Sequence, residues 1–322
     1  MNLPDHLVIA SRGSRLARRQ AEIVSDLLRA VHPQLTIEIK TVTTRGDVDQ
    51  RPFEQIPGKG LFTSEVERAV AEGEADVAVH SAKDLTSELV DRCHIICVPT
   101  RASVHDVIVG GKGETGIDRL GNLSSGARVG TSSMRRRSLL AQARPDVEAV
   151  ELRGNIDTRL KKVALGEVDA AIMAAAGVER LGLADVGAVA SLDPEGWIPA
   201  PGQGALAIEA LKVRDDLVEL FAPIQDDAAA AELACERAFS LTLEGGCSVP
   251  LGCLARADGN RIVASGYLSW PDGAQAFRDR ISGGIHEAAA LGAELAEAIL
   301  ACGGRDVIED LKEVEPPVVA EP

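Results

Sequence analysis

The chain has 322 residues, 45% of them hydrophobic, which is the composition of a globular protein that can bury sizeable cores. Its formal net charge of -15 at pH 7 disfavours binding to nucleic acids and anionic membranes, because those surfaces are also negative. The length favours two or three domains, and the charge leaves small molecules as the favoured ligands.

The N-terminal residues MNLPDHLVIASRG do not match a signal peptide. Asp5 and His6 stand where a basic region is required, and only a short apolar run follows them. The longest apolar stretch, near residues 170–178, is shorter than the roughly 20 residues that a membrane helix needs. The sequence therefore predicts a cytoplasmic protein without a membrane segment.

Short β-like runs alternate with helical patterns in the first two thirds of the chain, which predicts βαβ units on parallel sheets. The first series has strands at residues 7–11, 36–42 and 75–80, with helices at 14–30 and 62–72. The second has strands at 106–110, 127–132, 147–153 and 169–176, with a helix that ends near Ala143 and another from Asn155. We expect two α/β domains of similar size.

The pattern changes after residues 199–211. A helix is predicted from about Asp226, then the strand-like runs VPLGCLARA, RIVASGYLSW and AFRDRISG, and then a helix from about His286. Turns such as ADGN and PDG join the three runs, which predicts an antiparallel three-stranded sheet in a small α+β domain. The last residues, VEPPVVAEP, are rich in proline and are predicted to be disordered.

Six cysteines in a chain of this length predict no disulfide framework. Cys93 and Cys97 lie in the apolar run CHIICVP, where we favour a core strand over a zinc site. Cys235 and Cys302 lie in helical patterns, where buried thiols are usual. Cys247 stands in LEGGCSVPLG among turn residues, so it is reachable. It is an incidental turn cysteine, a nucleophile paired with a histidine, or an attachment point for a prosthetic group.

The run DVAVHSAKDL brings polar residues to the end of a buried strand. The strand ends at His80 and is followed by Ser81, Lys83 and Asp84. In open α/β sheets, ligands bind outside the carboxyl ends of strands, so these side chains are candidates for a site. The structural alternative is that Asp84 caps a turn and Lys83 is a solvated charge.

The run GTSSMRRRS enters a helix with possible caps at Thr131 and Ser133, followed at once by three arginines. A helix N-terminus favours anions and disfavours cations, so arginines there indicate a negatively charged ligand. Successive helical residues point about 100° apart, so at most two can face one ligand. We choose Arg135 and Arg136; a solvated basic face is the alternative.

Two further strand ends carry arginines. LRGNIDTRLKK contains Arg153 and Arg159, and LVIASRGSRLA contains Arg12 and Ser14. Arginine binds carboxylates and phosphates with two parallel donors. Because both α/β domains contribute, the sequence predicts a polyanionic small ligand in the cleft between them. Nucleotide-binding glycine patterns are missing, and the nearest run, GGKGETG, opens no clear helix.

The sequence resembles the porphobilinogen deaminase family over about residues 7–312. The resemblance is carried, in family order, by IASRGSRLA, TTRGD, GKGLF, DVAVHSAKDL, VGTSSMRRR, LRGNIDTRL, PAPGQGA and LEGGCSVPLG. It implies two α/β domains like those of periplasmic binding proteins and a small α+β domain that carries the cysteine. The implied boundaries are 1–103 with 203–221, 104–202, and 222–313, with a disordered tail at 314–322.

The resemblance implies a transferase that condenses four porphobilinogen molecules into hydroxymethylbilane and releases ammonia. Growth starts on a dipyrromethane cofactor that is bound to Cys247 through a thioether, and no metal takes part. Asp84 is the implied catalytic carboxylate, since it can stabilise the cationic pyrroles and move protons. The implied cofactor-binding residues are Lys83, Thr131, Ser133, Arg135, Arg136, Arg153 and Arg159. The implied substrate-binding residues are Arg12, Ser14, Arg153, Arg159 and Arg180.

The family also implies a covering loop that includes Lys59 and Phe62, a monomeric state, and transfer of the product to the next tetrapyrrole enzyme. The chain departs from the family where Thr86 stands for a common proline and Gln55 for an often basic residue. The alternative function is a non-catalytic, cytosolic polycarboxylate-binding protein of the solute-binding class. It explains the arginines but not Cys247 or a carboxylate among cations.

Overall fold

The structure is a computed structural model that describes residues 3–44, 63–86, 88–183, 189–244 and 249–314. These residues form two five-stranded sheets and one three-stranded sheet. The strands are β1 (His6–Arg12), β2 (Thr36–Val42), β3 (Val77–Ser81), β4 (Cys93–Cys97), β5 (Asp106–Gly110), β6 (Arg128–Gly130), β7 (Glu148–Val150), β8 (Ala170–Ala174), β9 (Val189–Ser191), β10 (Leu206–Leu211), β11 (Leu251–Asp258), β12 (Arg261–Ser269) and β13 (Ala276–Gly284).

The helices of the described residues lie between and after these strands. They are α1 (Arg15–Val31), α2 (Ser64–Ala71), α3 (Gly116–Gly121), α4 (Met134–Ala143), α5 (Ile156–Ala164), α6 (Ala175–Arg180), α7 (Asp215–Phe221), α8 (Asp227–Thr242), α9 (Ala288–Ile299) and α10 (Arg305–Val314). Short 3-10 turns occupy Ala82–Asp84, Ala222–Ile224 and Ile285–Glu287. Among these helices, none combines the length and the hydropathy that crossing a bilayer requires.

The first two sheets have matching topologies. Their strand orders are β2-β1-β3-β10-β4 and β7-β6-β8-β5-β9. In each sheet the first three strands are parallel, whereas β10 and β5 run antiparallel to both of their neighbours. The expectation of purely parallel sheets is therefore wrong for one strand in each sheet. In the chain, β5 follows strands of the first sheet and β10 follows strands of the second sheet. Neither strand is therefore reached by a crossover helix from its own sheet, which would make it parallel.

The predicted elements are largely confirmed. The first long helix begins directly after Ser14, whose side chain accepts a hydrogen bond from the backbone N–H of Ala17. The sequence analysis did not predict β9, β10, α3, α6, α7 or α10. We expected no clear helix after GGKGETG, but α3 begins there because Thr115 and Asp118 form a reciprocal capping box.

The third sheet, with α8 and α9, confirms the expected small α+β fold. The two helices pack closely at Gly292, where a Cβ atom would lie 2.0 Å from the carbonyl oxygen of Cys235. Cys235 is buried as expected, whereas Cys302 is exposed. The expectation that Cys302 is buried is wrong because regular helix ends before it and Gly303, at φ 113°, kinks the chain.

Ion pairs of Arg101 link the chain segments that join the two large sheets to the third domain. Its guanidinium group pairs with Glu232 at 3.0 Å and with Glu236 at 2.8 Å, both on α8. Glu236 also accepts a 2.6 Å hydrogen bond from the backbone N–H of Gly202, in the second connection. Each of the three sheets lies within one of the three domains predicted from the sequence. The exact domain boundaries stay a prediction.

Candidate active site

The carboxyl end of β3 leads directly into the 3-10 turn that carries Lys83 and Asp84. His80, at the end of the strand, is 6% exposed, whereas Lys83 is half-buried and Asp84 is exposed. Gly202 packs against this turn with φ 73°, and a Cβ atom there would lie 3.0 Å from the backbone nitrogen of Lys83. Only glycine therefore combines this backbone conformation with the close approach of the PGQG segment.

The N-terminus of α4 directs two arginines into the protein interior. Ser133 caps the helix by accepting a hydrogen bond from the backbone N–H of Arg136, and Thr131 accepts one from the N–H of Ser133. Arg135 and Arg136 are 3% and 6% exposed. Both contact the fully buried Asp106, at 2.8 Å and 2.7 Å. The sequence reading found both arginines but missed the carboxylate that holds them.

Asp106 accepts hydrogen bonds from four side chains in a small buried network. Besides the two arginines, Trp197 Nε1 and Gln203 Nε2 each donate to it at 3.0 Å. Burial alone would raise the pKa of Asp106, but Arg135 and Arg136 outweigh it and hold the pKa well below its usual range. In the sequence, Asp106 is an aspartate at the start of the apolar strand DVIVG. That position fits a structural role and a functional role equally well.

The cations predicted from the two α/β domains influence one another electrostatically. Burial lowers the pKa of Lys83 to about 8; the charges of Arg136 and Arg135 act in the same direction, and those of Asp84 and Asp106 oppose them. Burial, followed by repulsion from Arg136, lowers the pKa of Arg159 to about 10, and Asp84 opposes this. The structure thus brings Lys83, Asp84, Arg136 and Arg159 together, with positive charge in excess.

The lowered pKa of Lys83 gives a pH prediction. In a Cys247→Ser variant, Lys83 is expected to titrate near pH 8. The unfolded chain holds that proton to higher pH, so the variant should gain stability as the pH rises through this value. Carboxylates bound at the site favour the charged amine, so the midpoint should move upward in loaded protein.

The measurement is an NMR titration of reductively ¹³C-methylated protein, with the Lys83 signal assigned by its loss in Lys83→Met. A midpoint in Cys247→Ser that equals the midpoint in loaded protein would contradict this prediction.

Other predicted site residues lie in different surroundings. Arg12 lines a small cavity together with Asp84. Arg153 pairs with Glu151 at 2.6 Å. Arg180 donates to the carbonyl oxygen of Gly204 at 2.7 Å, and burial lowers its pKa to about 10. The remaining predicted residues Lys59, Phe62 and Cys247 lie outside the described residues.

Two family models together match most of the chain. The model described as porphobilinogen deaminase, dipyromethane cofactor binding domain, matches residues 7–219, and the model of the porphobilinogen deaminase C-terminal domain matches residues 230–301. The chain belongs to the porphobilinogen deaminase family. The resemblance carried by the sequence motifs is therefore confirmed, and the first model confirms the expected dipyrromethane cofactor.

Curated porphobilinogen deaminases match this chain over nearly their whole length. The protein of Roseiflexus castenholzii is 43% identical over 303 residues, which cover 94% of this chain and 98% of that protein. The protein of Roseiflexus sp. is 43% identical over 304 residues, with the same coverage. Among solved structures, the BvgS periplasmic VFT2 domain of Bordetella pertussis aligns with a TM-score of 0.40 at 16% identity, covering 72% of this chain and 93% of that one.

The site of this chain suits a dipyrromethane, whose rings each carry an acetate and a propionate. Two guanidinium groups share the single carboxylate of Asp106, so a net positive charge is buried there. The Nε atoms of Arg135 and Arg136 are buried without a hydrogen-bond partner among the described residues. Buried donors and cations of this kind require acceptors or counter-charges. The carboxylates of the cofactor would supply both.

Proposed function

We propose that this chain is a hydroxymethylbilane synthase, a transferase that joins four molecules of porphobilinogen head to tail and releases ammonia. The family assignment supports the reaction class. The observation that carries the site assignment is the exposed carboxylate of Asp84 in a cleft where Lys83, Arg136 and Arg159 are the neighbouring cations. In a site that only binds anions, such a carboxylate would repel the ligand.

Asp84 acts on the positive charge that develops during the reaction. When ammonia leaves the aminomethyl group, positive charge spreads over the substrate pyrrole, and a carboxylate beside the ring nitrogen stabilises it. The same carboxylate can take up the proton that the reacting ring carbon loses when the new bond forms. Its exposure in the cleft lets substrate reach it, and the short turn after β3 fixes its backbone.

The cations hold the carboxylates of cofactor and substrate. We assign Lys83, Arg135, Arg136 and Arg159 to the cofactor, with Arg153, Thr131 and Ser133 beside them. We assign Arg12, Ser14 and Arg180 to substrate, together with Arg153 and Arg159. The hydroxyl groups of Ser14 and Ser133 accept hydrogen bonds as helix caps and keep their own O–H to donate to an anion.

When bound to Cys247, the dipyrromethane supplies the ring carbon to which the first substrate is joined. The residues of the chain keep its carboxylates neutralised, and Lys59 and Phe62 belong to the proposed covering loop. Relative movement of the two large sheets would make room for the lengthening product. The proposal includes a monomer in the cytoplasm that passes its product to an enzyme of the same pathway.

The first test is the intact mass of the denatured protein beside that of Cys247→Ser, together with ammonia release from porphobilinogen. We expect an added mass of two pyrrole units on the first protein only, and ammonia release by it. A protein that carries no adduct, even after incubation with porphobilinogen, and binds this substrate without releasing ammonia would be a binding protein.

A further inference from the structure

A buried histidine–glutamate pair adjoins the cavity that Asp84 lines. His80 Nε2 lies 2.9 Å from an Oε atom of Glu209, across the neighbouring strands β3 and β10. Their side chains are 4% and 0% exposed. Burial of a carboxylate and an imidazole in a sheet core costs free energy even when they pair. The pair therefore calls for a role beyond packing.

His80 connects the buried Glu209 with the cavity. The cavity wall includes His80, Ser81, Arg12 and Asp84, but Glu209 is not part of it. The imidazole therefore has Glu209 on one side and the cavity on another. When Nε2–H donates to the carboxylate, Nδ1 is the nitrogen that can accept a proton. A carboxylate that accepts a hydrogen bond from one ring nitrogen fixes the tautomer and the orientation of an imidazole, as in hydrolase triads.

The groups packed around this pair are charged or titratable. Burial, then Glu209, raises the pKa of Glu67 on α2, and Thr63, His80 and Arg237 oppose this shift. Burial, again followed by Glu209, raises the pKa of Cys93 on β4 to about 12, so it stays a thiol. Arg237 on α8 adds positive charge near Glu209 and Glu67, and burial lowers its pKa.

Two oxygens of this cluster lack hydrogen-bond donors. Oε1 of Glu67 and Oε1 of Glu209 are buried and have no partner among the described residues. Buried acceptors without donors lose free energy relative to water, and an additional proton in the cluster relieves that loss. The surroundings of His80 are therefore suited to holding a transferred proton.

We propose that His80, supported by Glu209, receives the proton that Asp84 takes up at each condensation. This proposal rests on the proposed function. In each condensation the C–N bond of the protonated aminomethyl group breaks, ammonia keeps its electron pair, a C–C bond forms, and the reacting ring carbon loses its proton. That proton passes from Asp84 to Nδ1 of His80 and then to the ammonia, which leaves as ammonium, so no further reagent is consumed.

The test is His80→Gln, whose amide can still donate to Glu209 but cannot carry a proton. We expect it to fold and to hold the cofactor by intact mass, with turnover lowered by about ten- to a hundredfold. Added imidazole should raise its turnover in proportion to concentration, which a purely structural defect would not produce. The matched control is His32→Gln, because His32 forms a hydrogen bond with the carbonyl oxygen of Leu220 and does not line this cavity.

Glu209→Gln decides the question if His80→Gln fails to fold or load. This variant keeps the imidazole and the shape of its partner but removes the charge, so the pH dependence of turnover should shift relative to wild type. A loaded His80→Gln with near-normal turnover and no response to imidazole would overturn the proposal, as would a loaded Glu209→Gln with an unchanged pH profile. Failure of the wild-type protein to release ammonia would instead overturn the proposed function.

Discussion

Replacing Asp84 by asparagine is expected to lower turnover by about 10³-fold or more, with the fold preserved and the cofactor still bound. The amide keeps the shape of the side chain and removes its charge and its ability to accept a proton. Positive charge on the reacting pyrroles would then face Lys83 and Arg159 without compensation. The measurement is the rate of hydroxymethylbilane and ammonia formation, after intact mass has established that the cofactor is present.

Two matched variants make this prediction specific. Asp84→Glu keeps the charge but moves it by one methylene, so its turnover should fall between those of the wild type and Asp84→Asn. Asp91→Asn removes an exposed carboxylate that follows the same turn, and it should behave as wild type. Comparable turnover in loaded Asp84→Asn and Asp91→Asn would rule out the assigned role of Asp84.

Local chemistry made part of this site predictable from the sequence. Arginines at a helix N-terminus are unfavourable unless an anion is near, so Arg135 and Arg136 stood out. Polar residues after a buried strand identified Lys83 and Asp84 by the same kind of reasoning. In each case the signal lies within a few residues of the chain and depends on where a strand ends or a helix begins.

Long-range pairing could not be predicted in this way. Asp106 lies 29 residues before Arg135, and Glu209 lies 129 residues after His80. A lone acidic residue in an apolar strand gives no indication of its partner until the sheets are assembled. The antiparallel orientation of β10 was not predicted for the same reason. Its neighbours in the sheet, β3 and β4, come much earlier in the chain.

The anchoring role of Asp106 leads to the second large effect. Asp106→Asn is expected to lower the free energy of unfolding by about 3–5 kcal/mol and to prevent cofactor loading. The amide nitrogen of the new side chain cannot accept the hydrogen bonds that a carboxylate oxygen of Asp106 accepts. Arg135 and Arg136 would also be buried without their counter-charge. Chemical denaturation measures the first effect, and intact mass after incubation with porphobilinogen measures the second.

A surface pair provides the control. Arg144 and Asp146 form a two-pronged ion pair at 2.7 Å and 2.8 Å, with the carboxylate 42% exposed, so Asp146→Asn should change stability little. Adding Arg135→Met to Asp106→Asn should restore part of the lost stability, because it removes one uncompensated buried charge. Equal stability of Asp106→Asn and wild type, with normal loading, would show that other groups hold the arginines.

The pH dependence of the Asp106 effect has a definite sign. Arg135 and Arg136 hold the pKa of Asp106 below its usual range, so the folded state binds this proton less readily than the unfolded chain does. The stabilisation is therefore fully present at neutral pH and is lost as the pH falls through the folded-state pKa. The difference in stability between wild type and Asp106→Asn should accordingly begin to narrow only as the pH falls below the ordinary aspartate pKa of about 4. A difference that already narrows near neutral pH would mean that the two arginines do not control this carboxylate.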